Sequence, residues 1–116
     1  MTIPVAIDTD PGVDDAVALL LAMRSPEIRV ESITTVAGNV PVRVSFRNAK
    51  RMVALVNPSV WPAVAAGSAK PLNIRLTTAT HVHGDDGLGG NANKFPVPSR
   101  LRTNAGGVEQ LIDFTR

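Results

Sequence analysis

The spacing of apolar positions changes along the chain, and each change marks an element. Residues 3–7, Ile-Pro-Val-Ala-Ile, form a short apolar run that ends in an acidic cluster. A run of that length suits a strand buried on both faces, with its C-terminal end at a polar site. Residues 14–23 carry Ala16, Leu19, Leu20 and Met23 at helical spacing, which predicts a helix with one apolar stripe. Ser25-Pro26 stops it, because proline disfavours helical geometry at the residue before it. Residues 29–36 are rich in β-branched side chains and read as a second strand. After a turn at Ala37-Gly38-Asn39, Pro41 stands where its missing N–H would be unpaired in a helix anyway. Val42, Phe46, Ala49, Val53 and Val56 then recur in steps of four and three. They predict an amphipathic helix of about four turns, ended by Asn57-Pro58, with Arg43, Arg47, Lys50 and Arg51 on its exposed face.

Residues 60–66 read as a third strand, which Pro62 confines to its second half. Residues 67–102 hold many Gly, Pro, Asn and Thr and read mostly as loop; so long a loop in a compact domain is usually functional or mobile. Residues 104–115 read as a final helix with Val108, Leu111 and Ile112 facing inward. Strands alternating with helices predict an α/β fold with a parallel sheet. A chain of 116 residues makes one domain.

Composition removes several classes of function. Hydrophobic residues make up 44% and charged residues 19%, which excludes disordered and collagen-like chains. Cysteine is absent, so disulfide scaffolds, zinc ribbons and thiol catalysis are excluded and a reducing compartment fits. The net charge of +2 is a small difference between 12 basic and 10 acidic residues. With no basic run and 3% aromatics, nucleic acid is not an expected partner. No apolar run approaches the roughly 20 residues of a membrane span, and the N-terminus has no leader pattern. A cytoplasmic protein without a membrane partner is the expectation.

The chemistry concentrates at Asp8, Asp10, Asp14 and Asp15, packed where the first strand gives way to the first helix. In open α/β sheets, ligands bind outside the carboxyl ends of the strands. Carboxylates so close repel one another, and a cation is the simplest way to hold them together. Oxygen-only ligands point to Ca²⁺ or Mg²⁺. Helix capping accounts for Asp14 and one neighbour, but not for Asp8 and Asp10, which precede the helix. An EF-hand does not fit, since counting from Asp8 the glycine is fifth rather than sixth.

The run Asp8-Thr9-Asp10-Pro11-Gly12-Val13-Asp14-Asp15-Ala16 closely resembles the N-terminal signature of the inosine-uridine preferring nucleoside hydrolase family. The resemblance continues through Ile33-Thr34-Thr35-Val36-Ala37-Gly38-Asn39, Ala66-Gly67, Lys70-Pro71-Leu72, and His81-Val82-His83-Gly84-Asp85-Asp86-Gly87-Leu88-Gly89. It implies a doubly wound α/β fold with a mostly parallel sheet and flanking helices. Residues 1–116 would form the N-terminal portion of a single such domain. It implies a Ca²⁺-dependent hydrolase that cleaves the N-glycosidic bond of ribonucleosides, as in purine and pyrimidine salvage, and a homo-oligomer. Asp10 would be metal ligand and general base for the Ca²⁺-bound water, and Asp15 the bidentate metal ligand. Asp14 and Asn39 would bind ribose hydroxyls, and Asp8 would support from behind. His83 would sit in a mobile loop over the site, with His81 a weaker candidate beside it. Asp85 and Asp86 fall in a turn assigned to solvent, and Trp61 to packing.

In the family, further metal and ribose ligands and a histidine linked to leaving-group protonation come later in the chain. This sequence is expected to lack them, and to expose a strand edge and an apolar face that invite self-association. A second reading is a non-catalytic fragment that binds metal weakly or serves as an interaction module. A third is a phosphatase built on a strand-end Asp-x-Asp.

Overall fold

The computed structural model describes residues 1–98 and 106–116. Three strands, β1 (Ile3–Thr9), β2 (Ile28–Thr35) and β3 (Ala63–Ala66), form a sheet in the order β1-β2-β3 with both pairings parallel. Parallel neighbours need crossovers, and helices α1 (Val13–Arg24) and α2 (Val42–Val56) supply them. Beyond β3 come a single helical turn, α3 (Thr80–His83), a 3₁₀ turn at Ala92–Lys94, and α4 (Gly107–Thr115).

Alternation along β1 decides what each face carries. Val5 and Ile7 pair with Val30 and Ile33, and all four belong to or pack against the main apolar cluster. A register shift between Val5 and Ala6 keeps those two pairs in phase. Leu19 of α1 and Ala49, Met52 and Val53 of α2 close this face. The other face is polar. Ser32 and Thr34 point there, and Gln110 of α4 reaches the sheet beside Ser32: its Nε2 donates to Ser32 Oγ (2.7 Å), Ile33 O (3.2 Å) and Ala63 O (3.0 Å). Helices therefore cover both faces of the sheet, as a doubly wound fold requires.

Several expectations are corrected. β1 is an edge strand among the described residues, with Ile3 and Pro4 exposed, not a strand buried on both faces. On α4 the buried positions are Gly107 and Gln110, whereas Val108 and Ile112 are 58% and 48% exposed. The sheet face beneath α4 is hydroxyl-rich, so a carboxamide fits it better than an aliphatic stripe. The basic residues of α2 are not simply solvated. Arg51 donates to the Ala92 carbonyl, Lys50 lies 4.2 Å over the Phe46 ring, and of the four Arg43 alone is exposed. The long loop is anchored by Leu88 and Ala92, both buried in the apolar cluster. Trp61 packs against that cluster and donates to Asn57 Oδ1 (3.0 Å). Asn57 ends α2 in the left-handed region at φ 49°, a conformation asparagine tolerates. Residues 99–105, which include the expected start of the last helix, lie outside the described residues.

Candidate functional site

β1 delivers its acidic residues to the carboxyl end of the sheet, and strand alternation separates them. Thr9 turns toward α1, where its hydroxyl donates to Asp15 Oδ2 (2.7 Å). Asp8 turns to the opposite face, where Oδ1 accepts from Thr34 Oγ1 (2.5 Å). Asp10 lies just beyond the strand. Its Oδ2 accepts from the Asn39 backbone N–H (2.7 Å), while Asn39 Nδ2 donates to the Asp10 carbonyl (3.1 Å). The β2–α2 turn thus clamps Asp10 at both its side chain and its backbone. Gly38 makes room for this, since a Cβ there would overlap the Asp10 carboxylate.

The structure brings Asp10 and Asp15 to the wall of one cavity, close enough for the charge of one to act on the other. Burial pushes the Asp15 carboxyl above its usual range, the Thr9 hydroxyl opposes this, and the charges of Asp10 and Asp14 raise it further. Asp14 projects from the exposed first turn of α1. Asp8, Thr9, Asp10 and Asp15 border one cavity of about 460 Å³, closed below by Ile7, Ala18, Leu19 and Ala22. Among the described residues, no group of three or more His, Asp or Glu side chains is placed to share an ion. Two carboxylates forced together without a counter-charge fit a hard cation in their donor chemistry, as part of its shell.

His83 reaches the same loop from the other side. Its Nδ1 accepts from the Val13 N–H (3.1 Å), one of the donors left unpaired at the start of α1. Gly12, the residue before that helix, has no side chain to cap it; a Cβ there would stand 2.6 Å from the same His83 nitrogen. His81 is exposed on α3 and stays outside these contacts. The Ala79 N–H also donates to the Asn39 carbonyl (2.8 Å), which ties the start of α3 to the residue that clamps Asp10.

Asp86, expected with Asp85 in a solvated turn, instead organises the residues around it. Asp86 Oδ1 accepts from Leu88 N (3.0 Å) and Gly90 N (2.9 Å), and Oδ2 from Ala92 N (3.0 Å). Burial works against this charge, but the N–H groups of Ala92, Gly90 and Leu88 outweigh it and hold the carboxyl below its ordinary range. Asp85 remains exposed. Sequence reading also missed Thr9, Thr34 and Asn48 as partners of the site. Strand alternation signals Thr9, which shares the face of Ile7, and Asn48 is the asparagine on the apolar face of α2.

The chain matches the family model described as inosine-uridine preferring nucleoside hydrolase over residues 5–116. It is 44% identical over 116 residues to the pyrimidine-specific ribonucleoside hydrolase RihA of Escherichia coli O1:K1, covering 100% of this chain and 36% of that protein. It is 49% identical over 112 residues to an uncharacterized protein of Schizosaccharomyces pombe, covering 97% and 35%. Among solved structures, a plant nucleoside hydrolase superposes with a TM-score of 0.84 at 33% identity, over 98% of this chain and 36% of that one. A purine-preferring ribonucleoside hydrolase from Gardnerella vaginalis gives 0.82 at 28% identity, over 95% and 35%. The chain spans about a third of the length of these curated relatives. With its parallel sheet, its acidic loop and this match along nearly all its length, the chain belongs to the inosine-uridine preferring nucleoside hydrolase family.

Proposed function

We propose that the acidic loop is the reacting end of a ribonucleoside hydrolase, cleaving the N-glycosidic bond to give ribose and free base. The observation that carries this is that Asp10 and Asp15 line one cavity at the carboxyl end of β1, in a chain of this family. Ca²⁺ bound beside Asp10 and Asp15 would supply a hard positive centre for water and sugar oxygens. Asp10 accepts the proton of the attacking water, and Asn39 holds its carboxylate in place for that task. Glycosidic cleavage passes through an oxocarbenium-like state, which negative charge near the sugar stabilises. Asp14, exposed beside the pair, and Asn39 are the groups for ribose hydroxyls. Asp8, bonded to Thr34 on the other face, supports the strand end. His83 stands over the loop as a substrate contact.

The test is release of reducing sugar from inosine and uridine, with Ca²⁺ and with a chelator, by the protein and by Asp10→Ala. Ca²⁺-dependent release that Asp10→Ala lowers by at least about a hundredfold supports the reading. Release unaffected by Asp10→Ala would overturn it. One observation favours a second reading, a weak metal-binding module without hydrolysis of its own: among the described residues no third acidic or histidine side chain joins Asp10 and Asp15 to share an ion. Calorimetric Ca²⁺ binding that is lost in Asp10→Ala, with no sugar released by either protein, would favour that reading instead.

A further inference from the structure

Asn48 lies at the middle of α2, wholly buried, on the helix face that also carries Ser45, Ala49 and Met52. Its Nδ2 donates to two backbone carbonyls from distant parts of the chain, Pro11 (3.2 Å) and Asp86 (2.8 Å). Pro11 belongs to the acidic loop, and Asp86 organises the loop that follows α3. One buried carboxamide thus joins the acidic loop to the segment that follows α3. Its Oδ1 has no hydrogen-bond partner although it is buried. An orphaned buried acceptor costs stability, so packing alone does not favour asparagine here.

The surrounding geometry is fitted to this bridge. Gly87, the residue after Asp86, has φ +74°, a conformation that side chains rarely adopt. A Cβ on Gly87 would stand 2.8 Å from Asn48 Nδ2 and 3.0 Å from the Pro11 carbonyl. The loop therefore passes against the bridge at the one residue type that allows it. The bridge leads on to reactive groups at both ends. On one side it reaches the loop that carries Asp10 and Asp15; on the other it reaches the segment whose His83 caps Val13.

We propose that Asn48 is a positioning residue that fixes the 83–92 segment against the acidic loop and so holds His83 at the start of α1. Its consequence for catalysis rests on the reading of the acidic loop as the reacting site; the coupling itself does not. Burial, two donated bonds and a glycine-only approach all locate the tie at one side chain. The other connections lie toward the two ends of the segment: His83 to Val13 and Ala79 to Asn39 at the α3 end, and Arg51 to the Ala92 carbonyl at the far end. Without Asn48, residues 84–90 would lose their polar link to Pro11, and the Asp86 bonds within the segment would open more often.

NMR spectroscopy on the ¹⁵N-labelled chain tests this without any assay of turnover, so its failure is separable from failure of the hydrolase reading. In the unmodified protein the Asn48 side-chain amide protons should be protected from exchange and close to Pro11 and Gly87. The Val13 nitrogen should show a through-hydrogen-bond coupling to His83 Nδ1. Asn48→Leu keeps the branching at Cγ and removes the donor. It is expected to abolish the Val13–His83 coupling and speed exchange of the Leu88 and Ala92 amides at least tenfold (about that order). The Ile33 and Val64 amides should stay protected. Gly87→Ala, which leaves Asn48 in place but pushes the loop off it, should reproduce the loss. Asn48 amide protons that exchange freely in the unmodified chain would overturn the proposal. So would a folded Asn48→Leu that keeps the Val13–His83 coupling.

Discussion

In the first turn of α1, Asp15 has two carboxylates as neighbours and a single hydroxyl as donor. In the loop after α3, Asp86 has three backbone N–H groups converging on its two oxygens. Burial pushes both carboxyls upward, yet the first ends above its ordinary range and the second below it. The donors decide the difference. Asp86 spends its negative charge on shaping its own loop and has little left to offer a ligand. Asp15 and Asp10 stand near each other with neutral donors and, among the described residues, no ion-pair partner, which costs stability and suits a cation. The same residue type serves as scaffold in one loop and as candidate chemistry in the other.

The largest effect should come from dismantling the scaffold. Asp86→Ala removes the acceptor of three charge-assisted hydrogen bonds and should cost about 2 kcal/mol in urea unfolding. The contribution should also carry a pH signature. A carboxyl held below 3.8 stabilises fully above that value and loses its effect as pH falls through the lower folded value. The gap between the unmodified chain and Asp86→Ala should therefore be constant above about pH 5 and close in more acid solution. A gap that widens on acidification would mean that Asp86 is not the organising charge.

That asymmetry also explains which parts were legible in the sequence. Periodicity located all three strands and both crossover helices, because Ile7, Leu19, Ile33, Ala49 and Val53 sit on one closely packed apolar face. The acidic loop was legible because its residues are adjacent in sequence, and likeness to a family supplied roles for them. The opposite face was not. Gln110 is buried by hydrogen bonds to Ser32 Oγ and to the carbonyls of Ile33 and Ala63, and no hydrophobic pattern records such contacts. Asp86 and Asn48 were hidden for a related reason. Their partners are backbone groups, and Asn48 meets Pro11 and Asp86 only after residues 37 and 38 apart in sequence are folded together.

A smaller effect should separate the two acidic faces of β1. Thr9→Val removes the donor that holds Asp15 Oδ2 and should cost about 1 kcal/mol of stability. It should weaken Ca²⁺ binding about fivefold, because Asp15 then loses its fixed orientation. Thr34→Val acts on Asp8 alone and should leave Ca²⁺ affinity unchanged in calorimetry. Equal weakening by both substitutions would place Asp8 in the cation set with Asp10 and Asp15.

The smallest change in stability should have the opposite sign, and it is the sharpest test of the contrast between the loops. Asp15→Asn keeps an oxygen to accept from Thr9 while removing the charge that burial, Asp10 and Asp14 all disfavour. In a chelator at neutral pH the variant should be more stable than the unmodified chain by about 0.5 kcal/mol, a value reduced for solvent screening. Ca²⁺ binding should nevertheless fall, since a neutral carboxamide is a poorer ligand for a hard cation. A group whose folded pKa is raised carries its penalty above that pKa and sheds it by taking a proton as pH falls. The advantage of the variant should therefore shrink in mildly acid solution, where Asp86 still contributes in full. If Asp15→Asn is instead destabilising without Ca²⁺, the Asp15 charge is structural, as that of Asp86 is, and the acidic loop is not held in strain for a ligand.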